Sequence, residues 1–123
     1  VRRLALVAVL GLSVGVVSAQ ERASDSPDPL MHEYTRAVQS AILKRWTRPQ
    51  SAVVGQHCVL DVRQLPGGIV ASVDVASDCE YDAAGRQSIM AATLKAQPLP
   101  YAGYESVFHR RLILKFVVQD IVP

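Results

Sequence analysis

Two cysteines and three histidines are the residues of this 123-residue chain best suited to chemistry. His57 directly precedes Cys58, and with His109 the pair has two chemical readings: an imidazole that activates a thiol nucleophile, or a set of metal ligands. The metal reading fails on spacing. His32, His57 and His109 stand far apart in the chain, and no closely spaced ligand pair matches a standard zinc pattern. The nucleophile reading needs a free, ionisable thiol. Whether Cys58 has one depends on the compartment, and the first residues of the chain address that.

Arg2 and Arg3 precede a run from Leu4 to Val17 made only of Leu, Ala, Val, Gly and one Ser, and Val17-Ser18-Ala19 has the residue sizes a signal peptidase reads. Residues 1–19 are read as a Sec-type signal peptide cleaved before Gln20, which places the mature chain in the periplasm. The run is shorter than the ~20 apolar residues that span a hydrocarbon core; an uncleaved inner-membrane anchor is the alternative. In an oxidising compartment Cys58 and Cys79 are expected to join in one disulfide, which removes the thiol. The loop it closes is about twenty residues, worth roughly 3 kcal/mol in chain entropy. No glycine-rich phosphate loop, paired-carboxylate signature or Gly-x-Ser-x-Gly is present. The expectation is a protein that is not an enzyme and that holds no cofactor and no metal.

Once Arg2 and Arg3 are set aside with the signal, 11 Lys+Arg remain against 11 Asp+Glu. That balance gives no electrostatic case for nucleic acid or an anionic membrane surface.

The elements that must carry these residues can be read in turn. Residues 20–29 are polar, contain two prolines and read as a disordered leader. Asp28-Pro29 has the form of a helix start, and Leu30, Tyr34, Val38, Ala41, Ile42 and Trp46 then recur on one helical face until Pro49 ends the helix. Trp46 is expected as a core or lid residue. Cys58, Leu60 and Val62 alternate with Val59, Asp61 and Arg63 as a half-buried strand to Leu65. Pro66-Gly67-Gly68 turns the chain into a second strand, Ile69–Val75, whose inner face is expected to hold Ile69, Ala71, Val73 and Val75.

Asp82 is placed to cap a second helix reaching about Ala96, with Ile89, Ala92, Thr93 and Ala96 on a small-residue face. Gly85 near its start predicts a frayed turn or a close backbone contact. Pro98-Leu99-Pro100 stops it, a short helix is expected within 101–109, and Arg111–Val118 reads as a third strand with Leu112, Leu114, Phe116 and Val118 inward. The fold class is α+β: a three-stranded antiparallel sheet with helices packed on one face, the third strand entering antiparallel to the second.

The run Tyr34, Ile42-Leu43-Lys44-Arg45-Trp46-Thr47-Arg48-Pro49, then Cys58-Val59-Leu60-Asp61-Val62, Leu65-Pro66-Gly67-Gly68, Cys79, Ala91-Ala92, Ala96-Gln97-Pro98-Leu99-Pro100 and Leu114-Lys115-Phe116 resembles the C-terminal domain of the TolA proteins, with the TonB C-terminal domain a more distant cousin. The resemblance spans about residues 32–118. It departs in the short leader, where that family carries an anchor and a long stalk, and in the tail after Val118. It implies the fold and a periplasmic protein-interaction module that recruits an extended segment of an envelope protein, such as TolB, a colicin, a phage coat protein or an outer-membrane transporter. An accessory or structural envelope protein of the same fold, without a Tol or Ton partner, is the alternative. The expected organisation is signal peptide 1–19, leader 20–29, domain 30–118 and tail 119–123.

A partner segment would add at a free sheet edge. The third strand arrives after a helix and a return segment, so it is expected at the periphery, with Leu112, Ile113, Leu114, Lys115, Phe116 and Val117 as partner-binding residues and Lys115 limiting self-pairing. The alternative is a strand covered by the tail.

Overall fold

The computed structural model describes residues 28–119. The expected signal peptide, most of the leader and the tail beyond Gln119 lie outside the described residues.

Helix α1 spans Pro29–Lys44. The Asp28 carboxylate accepts the Leu30 N–H at 2.9 Å, and Pro29 sits where a missing N–H costs nothing. Tyr34, Val38 and Ile42 form its buried stripe. The helix closes four residues earlier than its proline signal implies. Arg45 and Trp46 N–H groups bond back to Ile42 and Leu43 carbonyls, tightening the last turn, and this releases the Trp46 ring to pack away from the helix axis.

Strands β1 (His57–Leu65) and β2 (Ile69–Val75) form the expected hairpin, and β3 (Arg111–Val117) completes an antiparallel sheet. Its order is β2-β1-β3. The third strand therefore pairs with β1, not with β2, and runs in the same direction as β2 on the opposite side of the sheet. This corrects the expected neighbour. The reason lies at β2's outer edge, where the segment after the second helix is bonded to the hairpin: Gln97 Oε1 accepts the Val70 N–H at 2.8 Å and Leu99 N–H donates to Gly68 O at 2.8 Å.

A second correction concerns β2's inner face. Arg63 pairs with Ser72 and Gln64 with Val70, so Ala71 is an extra residue in a β-bulge. The bulge breaks strict alternation: Val70 joins Val73 and Val75 beside the core, while Ile69 and Ala71 are exposed. In β1 and β3 alternation holds throughout, burying Cys58, Leu60, Val62 and Gln64 in one and Leu112, Leu114 and Phe116 in the other.

Helix α2 spans Ala83–Lys95, with the Asp82 carboxylate accepting the Gly85 N–H at 2.9 Å and Ala96 closing its C-terminus. It lays Gly85, Ile89, Ala92 and Thr93 into the core. A side chain at Gly85 would meet Tyr81 Cβ at 2.8 Å, so the glycine serves close packing. A 3₁₀ turn at Glu105–Val107 occupies part of the expected short helix. Both helices cover the same sheet face, and a disulfide joins Cys58 on β1 to Cys79 in the loop after β2. Two polar side chains are carried into this core: Thr93, whose hydroxyl donates to Ile89 O at 2.9 Å, and Gln64. The Gln64 amide donates to Tyr34 Oη at 2.6 Å and to His109 O at 2.9 Å, locking α1 to the base of β1, and burial pushes the Tyr34 hydroxyl pKa up.

Candidate functional site: a free strand edge beside a groove

In an antiparallel pair, alternate residues turn their N–H and C=O groups toward the neighbour and the rest turn them away. Gln64 N–H donates to Arg110 O and Val118 N–H to Gln56 O. With the β1–β3 register, this puts the even residues of β3 on the β1 ladder. Arg111, Ile113, Lys115 and Val117 then direct their backbone groups to the free edge, and their side chains lie on the uncovered face of the sheet. One side chain reaches that edge from α1: Gln39 Nε2 donates to Lys115 O at 3.1 Å, an exposed bond.

Between this edge and the C-terminal half of α1 runs a groove of about 400 Å³. Gln39, Leu43, Trp46 and Arg48 form one wall, and Lys115 to Gln119 the other. Residues 39 and 43 meet there because they follow one another at helical spacing, and Trp46 joins them from just beyond the end of α1. Leu43 is exposed although apolar. Trp46 is half-buried; its ring stacks on Tyr81 at 5.8 Å and its Nε1–H donates to Ser88 Oγ at 2.7 Å, so it is held as a fixed wall. Arg48 donates to Gln119 O at 3.2 Å across the end of the groove. On the uncovered face Arg111 grips the Asp61 carboxylate at 2.8 Å, and these hydrogen bonds hold that carboxyl below the usual aspartate range.

The six residues expected to bind a partner divide by parity. Leu112, Leu114 and Phe116 are 4%, 1% and 3% exposed and belong to the core. Ile113, Lys115 and Val117 are exposed, with Ile113 at 57%. The sequence reading missed the α1 wall of the groove, apart from placing Trp46 as a core or lid residue. The available signal was Leu43, an apolar residue one step off the buried stripe of α1.

The histidine and cysteine chemistry does not assemble. Cys58 is in the disulfide, His57 Nδ1 lies 3.0 Å from Glu80 Oε1, and His109 Nδ1 lies 2.8 Å from Val107 O. Among the described residues there is no group of three or more His, Cys, Asp or Glu that could hold a metal ion, and no helix is long and apolar enough to cross a membrane.

No protein-family model matches the chain, and no curated protein matches it in sequence. In fold it is similar to TolAIII in a solution structure bound to a peptide derived from the N-terminus of TolB: TM-score 0.58, 21% identity, covering 79% of this chain and 82% of that one. The described domain has the TolA C-terminal-like fold.

Proposed function

We propose that this chain is a periplasmic protein-interaction module of the cell envelope that takes an extended segment of a partner protein as an added strand on the β3 edge. The observation that carries the reading is a strand edge whose outward groups at Ile113, Lys115 and Val117 border a groove with an exposed apolar wall. Backbone pairing supplies affinity in this mode, and pockets for alternate side chains supply selectivity. A partner strand paired along Ile113–Val117 would send every second side chain into the groove against Leu43 and Trp46. Gln39 would have to release Lys115 O, which is a small cost for an exposed bond. The fold shared with TolAIII, whose solved complex holds a TolB-derived peptide, supports a peptide partner of the same kind. Export by residues 1–19 and cleavage before Gln20 complete the reading, and the Cys58–Cys79 disulfide suits an oxidising compartment.

The test uses the mature protein and a synthetic peptide from the TolB N-terminus. Binding should slow amide exchange at Ile113, Lys115 and Val117 and leave β2 unaffected. In Ile113→Pro the removed N–H is one the fold does not use, so circular dichroism should be preserved and peptide binding abolished. A folded Ile113→Pro protein that binds the peptide as well as the parent would defeat the proposal.

A further inference from the structure

The overall charge balance hides a segregation. From Tyr34 to Arg48, α1 and its extension contain Arg36, Lys44, Arg45 and Arg48 and no carboxylate. From Phe108 to Gln119, β3 and its flanks contain Arg110, Arg111 and Lys115 and again no carboxylate. Among the described residues, only Arg111 of these seven has an acidic partner in a salt bridge. Asp74, Asp78, Glu80 and Asp82 instead form an acidic run from the end of β2 to the start of α2, outside the two elements that frame the groove. Both elements that frame the groove are thus cationic, and Arg48 and Lys115 stand on its walls.

We infer that the occupant of the β3 edge is an acidic, apolar extended segment of another protein, with a carboxylate beside Lys115 and apolar side chains facing the groove. The inference rests on the strand-addition reading above and specifies its partner. A residue paired with Lys115 has its side chain on the uncovered face, next to the ammonium, where opposite charges attract and like charges repel. Its neighbours two positions away lie beside Ile113 and Val117, which favour apolar contacts. The residues between them point into the groove toward Leu43 and Trp46. Electrostatic complementarity of this kind governs encounter and partner choice more than final affinity.

The same distribution disfavours a second copy of the chain. Pairing β3 with its own copy would bring Arg110, Arg111 and Lys115 of each molecule together. Pairing β3 with the β2 edge of another copy meets the Gln97 amide already seated on Val70 N–H and a strand bent by the Ala71 bulge.

Two synthetic peptides of strand length test this, both apolar on either side of one central charged residue: one carries Asp at that position and the other Lys. Titrated against the mature protein at low salt, the Asp peptide should bind about tenfold tighter or better, and the gap should narrow as salt rises. The double variant Arg48→Glu with Lys115→Glu should lose or invert that preference while keeping the fold by circular dichroism. Equal affinities, a preference for the Lys peptide, no binding of either, or a preference unchanged in the double variant would overturn the inference. So would sedimentation of the free protein as a dimer with slowed exchange at Ile113 and Val117. Ile113→Pro separates the two proposals. If it keeps the Asp preference at full strength, strand addition is wrong and the cationic surface alone attracts the peptide. If it abolishes binding of both peptides and they bind the parent equally, strand addition stands and the acidic partner does not.

Discussion

The sheet has two edges, and they are guarded by different means. Along β2, Gln97 Oε1 takes the Val70 N–H while its Nε2 is anchored on Leu94 O at 3.0 Å, Leu99 N–H seizes Gly68 O, and the bulge at Ala71 bends the strand. Gly68 permits this strap to lie close: a Cβ there would meet Leu99 O, and its φ of +85° is in the left-handed region. Along β3 the corresponding guard is one exposed hydrogen bond from Gln39 to Lys115 O. A sheet edge is closed when a segment from elsewhere in the fold is strapped along it, and stays open when a single exposed side-chain bond covers it. The charge pattern adds to the contrast, with Arg110, Arg111 and Lys115 along the open strand and no carboxylate from Phe108 to Gln119.

The largest effect should come from cutting the staple that ties the closed side together. Replacing Cys58 and Cys79 by Ala should remove about 3 kcal/mol of stability, read as a lowered urea midpoint. A denaturation midpoint unchanged by the double substitution would show that the hairpin side does not need the bridge.

Next in size is removal of the guard itself. Gln97→Ala exposes the Val70 N–H and should cost about 1 kcal/mol, with concentration-dependent association through β2 that the parent lacks. Sedimentation and thermal melts read both parts. Gln39→Ala, the matching change at the open edge, should leave the melting temperature nearly unchanged and strengthen peptide capture. An equal loss of stability in the two variants would erase the distinction between the two edges.

The smallest effect concerns the uncovered face between the edges. Asp61 has its pKa lowered by Arg111, so the contribution of the pair is present at neutral pH, above the unfolded-state value. It drains away as pH falls below the ordinary aspartate range and through the lowered one. Asp61→Asn should flatten the acid limb of a stability-versus-pH curve slightly, because a solvent-exposed pair contributes little. A steeper acid limb in Asp61→Asn would reverse the sign and refute the assignment.

Much of the fold was legible because its signals are local. Asp28 and Asp82 cap helices through bonds to residues two and three positions on, and the two-residue period of β1 and β3 fixed which side chains go inward. The cysteine pairing also followed from the chain, since with two cysteines in an oxidising compartment the choice is one bridge or none. In β2 the same period misled, because one inserted residue at Ala71 shifts the faces on one side of the bulge and leaves no mark on the hydrophobic pattern.

The candidate site was legible only by half. Alternation put Leu112, Leu114 and Phe116 inward and so left Ile113, Lys115 and Val117 on the other face, but the neighbour of β3, the closing of β2 by Gln97 and the groove wall from α1 all depend on residues far apart in sequence. By itself the sequence determined the elements, their caps and their buried faces, because helix and strand periodicity are set by the geometry of adjacent residues. Which strand sits in the middle, and therefore which edge is free, was decided by tertiary packing: a strand's hydrogen-bonding groups are the same on both sides, and only the arrival of Gln97 and Leu99 at β2 left β1 and then β3 as the side on which the sheet could grow.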